Sequence, residues 1–215
     1  ARKILGKKTK IKGSLVQLGD KKINYNNWDD EEIDKNELFC PDKSVVKSWK
    51  NYLQNIRKKG SSIGAIIEIR VTGVPIGLGE PIFDKIDALI AHSIMSIPAV
   101  KGVEIGKGFE SACLKGEENS DEIFSKGKKI FFKSNNAGGT LGGITSGQDL
   151  IIKFVVKPTS SILIPKKTIN KKLDNISIIT KGRHDPCVGI RAVPIGEAMI
   201  ALILADCFLI QKTRN

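Results

Sequence analysis

Arg183, His184 and Asp185 occupy consecutive positions, closed off by Pro186 and followed by Cys187, Gly189 and Arg191. A guanidinium presents a rigid fork of donors and can pin an anion. A carboxylate beside it stays ionised in water, yet can pass a proton once a bound ring takes it out of water. An imidazole can do either, or cap the segment that follows. A lone histidine is more often a satisfied structural group, and an isolated Arg or Asp is usually a surface residue. Three together, locked by a proline and leading into an almost wholly apolar segment, favour chemistry.

Lys157-Pro158-Thr159-Ser160-Ser161 forms a second cluster: a lysine at the end of an apolar run, a fixed φ, then three hydroxyls. Such a donor set could hold a phosphate, each charge-assisted bond contributing about 1.5–3 kcal/mol; a solvated turn is the competing account. The segment NNAGGTLGGITSGQ (135–148) carries glycines at 138, 139, 142, 143 and 147. Glycine lets a backbone approach a ligand closely. GGTLGG nevertheless matches neither the dinucleotide-binding GxGxxG nor the GxxxxGK[ST] loop, so a turn-rich connection is equally compatible with it. His92 falls inside a helical pattern near Met95 and stays outside the candidate site.

These residues need elements to position them. Alternation predicts strands over 10–19, over 62–79 with a break at Gly73, over 100–106, and over LIIKFVVK, 150–157. A helix is predicted from Asp42 to Lys59, with Val45, Trp49, Leu53 and Ile56 on one face and Gly60 ending it. Pro81 is expected to open a second helix through Ile94, and 107–136 to be a charged loop. The last helix, 194–211, is apolar nearly all round and should be covered on most sides. Strands and helices do not alternate in a βαβ rhythm, which argues for one α+β domain spanning 1–215.

The chain has 215 residues, 40% of them apolar, and a net charge of +12. The charge favours anionic partners: nucleic acid, an acidic membrane surface or phosphorylated small molecules. Aromatic residues are only 6% and do not interleave with the basic ones, which weakens a nucleic-acid-binding module as the alternative function. Cys40, Cys113, Cys187 and Cys207 are scattered without a CxxC pair, so reduced thiols in a cytoplasmic protein fit better than a metal site or disulfides. The run IALILADCFLI is too short to span a bilayer and carries Asp206.

Several passages, taken together, resemble the chorismate synthase family: FCPDK (39–43), GVPIGLGEPIFDKIDALIAHSIMSIPAVKGVEIGKGF (73–109), NNAGGTLGGITSGQ, KPTSSI (157–162), and KGRHDPCVGIRAVPIGEAM (181–199) with Glu197 ten residues after its cysteine. The resemblance implies a β-α-β sandwich with helices packed between antiparallel sheets, assembled as a homotetramer. It implies the anti-1,4-elimination of phosphate from 5-enolpyruvylshikimate 3-phosphate with reduced FMN, some members drawing electrons from NADPH. Carried over residue by residue, Ala99, Gly142, Lys157, Pro158, Thr159, Ser160, Ser161 and Arg183 are expected at the flavin. Arg183 and His184 are expected at the substrate, and Asp185 as the catalytic carboxylate. Pro98 stands where the family usually has Asn, so only a backbone contact is expected at Ala99.

Two signatures of that family are missing, a GESHG-type segment with a histidine and an RSSARET-like passage. Ala1–Leu5 reads as the tail of the helix after the second. The expectation is therefore the last three fifths of such an enzyme, an incomplete fold inactive alone. A purely oligomer-forming remnant is the structural alternative, and FMN titration separates the two.

Overall fold

The computed structural model describes residues 1–214. The elements in chain order are α1 (Arg2–Leu5), β1 (Lys10–Leu18), β2 (Lys21–Lys22), α2 (Lys43–Lys58), β3 (Ala65–Thr72), α3 (Ile86–Met95), β4 (Val100–Ile105), α4 (Gly116–Asn119), β5 (Ile123–Lys126), β6 (Lys129–Phe132), β7 (Thr140–Leu141), β8 (Ile144–Thr145), β9 (Leu150–Val156), β10 (Lys166–Ile169), β11 (Asn175–Ile178) and α5 (Gly189–Lys212). One sheet has the order β2-β1-β3-β9-β4, so β9 is inserted between strands that precede it in the chain. The other strands pair as antiparallel hairpins, β5-β6, β7-β8 and β10-β11. The architecture is α+β, as the missing βαβ rhythm predicts.

The chain groups into two compact units. One holds Ala1–Gly13, Glu68–Phe154 and the residues from Val193 onward; the other holds Ser14–Ile67 and Val155–Ala192. The boundaries fall inside β1, β3, β9 and α5, and not in linkers.

In the second unit, Asp42 starts α2: its carboxylate accepts the Ser44 N–H at 3.0 Å and the Ser44 hydroxyl at 2.6 Å. This satisfies donors that a helix start leaves orphaned. Trp49 and Leu53 bury the apolar face, and the chain leaves the helix through Gly60 at φ +66°. The bounds of α2 and its stop at Gly60 match the sequence prediction.

In the first unit, Leu150, Ile152 and Phe154 of β9 are buried at every second position, the signature of a strand with one core face. Helix α5 lies close on the sheet there. A Cβ on Gly196 would meet Ile69 Cδ1 at 2.7 Å and Phe154 Cζ at 2.9 Å, so only glycine allows this approach.

Several predictions need correction. Helix α3 begins at Ile86 and not at Pro81, because Ile82 (φ +58°) and Phe83 (φ +63°) take left-handed conformations that a right-handed helix cannot contain. The stretch 107–136 is not a plain loop. It holds a 3-10 turn at Gly108–Cys113, α4 and the β5-β6 hairpin, with Phe124 stacked on Phe131 at 5.6 Å. Helix α5 starts at Gly189 and runs through Pro194. Only one face is covered: Val193, Ile200 and Leu204 are buried, whereas Ile195, Leu202, Leu209 and Ile210 are 41–57% exposed. By length and composition α5 is long and apolar enough to cross a membrane, which the shorter predicted run was not; 39% of its apolar window is buried.

Candidate functional site

Residues 60–64, the connection from α2 to β3, hold both predicted clusters of the second unit. The Leu163 N–H donates to the Gly60 carbonyl at 2.9 Å. The Ser62 hydroxyl donates to the Thr159 carbonyl at 2.6 Å, and the Ile63 N–H donates to the Pro186 carbonyl at 2.8 Å. Two segments about twenty residues apart in the chain are thus tied to one short backbone run, which is how a loop site gains rigidity. Within KPTSS, the Ser161 N–H donates to Thr159 Oγ1 at 3.4 Å. Pro158 packs against Gly64, where an added Cβ would lie 3.2 Å from Pro158 Cδ.

A cavity of about 140 Å³ opens between these segments, lined among others by Arg57, Ser61, Ser161, Arg183 and His184. Its lining contains two guanidiniums, an imidazole and two hydroxyls, and no carboxylate. His184 Nε2 is buried without a hydrogen-bond partner. A buried polar atom left unpaired costs about 1–3 kcal/mol, so its presence calls for a partner from outside the chain.

The structure brings together part of the predicted set. Ser161, Arg183 and His184 share the cavity. Lys157 and Ser160 are exposed beside it and do not line it. Asp185 is not in the lining either: it pairs with Arg191, Nε to Oδ2 at 2.9 Å and Nη2 to Oδ1 at 3.2 Å. Behind this turn the Cys187 thiol is 3% exposed. Burial pushes its pKa up, against the opposing Gly189 and Ile190 amides, so the group behaves as packing.

Ala99 and Gly142 belong to the first unit. Ala99 has φ +72°, a conformation uncommon for a residue with a Cβ. Gly142 and Gly143, at φ +61° and +91°, form the two-residue turn between β7 and β8. A hairpin turn of that type demands positive φ at both positions, which by itself accounts for the glycine pair. Among the described residues no group of His, Cys, Asp and Glu is arranged to hold a metal ion.

Two lining residues are absent from the sequence prediction, Arg57 and Ser61. Gly60 read only as a helix stop, and Arg57, in the last turn of α2, carries no signal of its own. Nothing in the local pattern connects them to residues more than a hundred positions later.

The chorismate synthase family profile matches residues 1–209. The chain is 58% identical over 210 residues to the chorismate synthase of Pelagibacter ubique (strain HTCC1062), an alignment covering 98% of this chain and 58% of that protein. It is 58% identical over 199 residues to that of Parvibaculum lavamentivorans, covering 93% and 54%. A solved crystal structure of a chorismate synthase superposes with a TM-score of 0.77 at 33% identity, covering 94% of this chain and 57% of that one. The chain therefore spans a little over half the length of the relatives it matches.

Proposed function

The chain belongs to the chorismate synthase family, and from that premise we propose that it serves the elimination of phosphate from 5-enolpyruvylshikimate 3-phosphate to give chorismate. This is the closing step of the shikimate pathway, which supplies aromatic amino acids. The identity of 58% over nearly the whole chain carries the proposal. The cavity chemistry is compatible with it, since two guanidiniums and an unpaired imidazole suit a phosphorylated ligand.

Reduced FMN, if bound, would supply the electron density that the elimination needs, with no net redox change. NADPH would be one reductant that brings the flavin to its reduced form. The residues present fit the phosphorylated end of such a cofactor, because Arg57, Ser61, Ser161 and Arg183 line one cavity that no carboxylate lines. Lys157, Pro158, Thr159 and Ser160, in the same loop as Ser161, are further candidate contacts of that cofactor. Arg183 and His184 hold the substrate's anionic groups. Asp185 moves the proton, and the Arg191 fork holds its two carboxylate oxygens. The reading includes one domain across 1–215, a homotetramer and a cytoplasmic location.

Anaerobic phosphate release from 5-enolpyruvylshikimate 3-phosphate with chemically reduced FMN tests it, run on this chain and on the longest reading frame that contains it. Release from the longer protein alone would make the 215-residue chain a partial enzyme. Silence from both would remove the activity.

A further inference from the structure

We propose that one face of the β5-β6 hairpin is a self-association surface, occupied by the same hairpin of a second copy turned end for end. The hairpin stands outside the five-stranded sheet. Gly127 (φ +54°) and Lys128 (φ +67°) make its two-residue turn, which sets Phe124 opposite Phe131 and Lys126 opposite Lys129. Seven of its eight strand residues are exposed. An isolated two-stranded hairpin is marginally stable in water, and this one leaves Phe124 45% and Phe131 41% exposed.

Strand alternation puts three rows on one face: Glu122 paired with Lys133 at the base, the stacked Phe124 and Phe131 at the centre, and Lys126 with Lys129 at the tip. Ile123 and Ile130 belong to the opposite face. Charge names the occupant. Residues 115–122 with Lys133 hold four carboxylates against two lysines, whereas the tip, 125–129, holds three lysines and no carboxylate. The two ends are therefore opposite in sign and about 13 Å apart, four residues of strand. A two-fold axis running across the strands lays each basic tip on the acidic base of the other copy, and ring pair on ring pair. A self-complementary surface of this kind needs both halves of the match on one chain; an unrelated partner needs only one.

Area sets the strength. Two strands about 4.8 Å apart and about 13 Å long fall well short of the roughly 800 Å² per partner of a stable interface. The pairing is accordingly weak by itself and depends on concentration. It uses no residue of the proposed flavin or substrate site, and it offers one surface to the homotetramer proposed above.

The test is sedimentation velocity of the 215-residue chain over a wide concentration range. Wild type should associate as concentration rises. Phe131→Ser should raise the dissociation constant about tenfold or more, the scale of an aromatic at the centre of a contact. Ile130→Ser, on the opposite face, should leave it within about twofold. Two charge variants then read the geometry: Lys126→Glu/Lys128→Glu/Lys129→Glu reverses the tip, and Glu117→Lys/Glu122→Lys reverses the base. Each should fail to associate alone, because like charges then meet at both ends, and an equal mixture of the two should associate again. The proposal is overturned if wild type stays monomeric throughout, if Phe131→Ser and Ile130→Ser act alike, or if the mixture associates no better than either variant alone. The same mixture made in the longest reading frame that contains the chain should also recover association. Failure there would mean that another part of that protein covers the hairpin, and it overturns the proposal too. None of these readouts involves turnover, so a silent phosphate-release assay would discard the enzyme reading and leave the pairing in place.

Discussion

Arg191 grips both carboxylate oxygens of Asp185, at 2.9 and 3.2 Å, six residues along from the start of the turn into α5. The geometry is fork to fork, the arrangement that fixes a carboxylate's orientation as well as its charge. The Arg191 side chain is 71% exposed and that of Asp185 29%, so solvent screens the pair. Arg191→Ala should therefore destabilise the chain by about 1 kcal/mol or less in urea titrations.

The proposed roles separate on a second measurement. In the longer protein, Asp185→Ala should lower turnover by about a hundredfold or more, the usual scale of a lost proton-transfer group. The FMN dissociation constant should stay within about threefold, under 1 kcal/mol. Unchanged turnover would take Asp185 out of the mechanism and leave it as a partner of Arg191.

Gly106 and Gly138 meet backbone to backbone in the first unit. A Cβ on Gly106 would sit 2.1 Å from the Asn136 carbonyl oxygen, and one on Gly138 would sit 2.3 Å from the Gly106 nitrogen. Both residues also have positive φ, +61° and +68°. Gly138→Ala should cost about 3 kcal/mol or more, since strain and collision act together and no flexible side chain can yield. Gly142→Ala provides the contrast, with φ +61° and no atom within 4 Å of the added carbon. It should cost only the backbone penalty of about 1–2 kcal/mol. Equal losses for the two variants would show that conformation alone accounts for both.

The same contrast shows what a sequence can and cannot reveal. α2 and β9 were legible because burial imposes a period on their side chains, and because Asp42 and Gly60 mark the ends of α2. The β5-β6 and β10-β11 hairpins were not, because their apolar residues, Ile130 and Ile178 among them, remain exposed and obey no core face. Arg183, His184 and Ser161 could be singled out from local chemistry. Arg57 could not, since its place in the cavity depends on Gly60 and Leu163 being hydrogen-bonded across the chain.

Asp121 and Asp42 make stability depend on acid pH. Burial opposes the charge of Asp121, but the Ser134 hydroxyl and the Ala137 and Asn136 amides outweigh it and lower its pKa. Burial likewise opposes the charge of Asp42, and the Ser44, Asn24 and Asn27 donors overcome it, so its pKa is lowered too. A depressed folded pKa gives stability that is fully present above the unfolded value of about 4 and is lost as pH falls through the folded value. The urea midpoint should be flat near neutrality and decline below about pH 4. Asp121→Asn should cost about 1–3 kcal/mol at pH 7, because an amide NH2 would face backbone donors. It should also make the acid decline shallower. A decline of unchanged steepness would assign the acid sensitivity to other carboxylates.

Thiol reactivity reads the packing of both units in one experiment. Cys113 is exposed in the Gly108–Cys113 turn, whereas Cys40, Cys187 and Cys207 are buried. Burial pushes the Cys40 and Cys207 thiols up to about 11, with nearby carboxylates adding to the effect. Thiolate is the reacting form, so both groups are shielded twice, by access and by protonation. Iodoacetamide at pH 7.5 followed by peptide mass mapping should label Cys113 first. The other three should follow only at the rate of local or global opening, and all four should react alike in denaturant. Cys187 is the informative one, since Gly189 behind it leaves room for no more than a hydrogen: a Cβ there would lie 2.4 Å from Ala65 Cβ. Gly189→Ala should expose Cys187 while leaving Cys207 protected. Release of both thiols together would mean that the site turn and the body of α5 open as one cooperative piece.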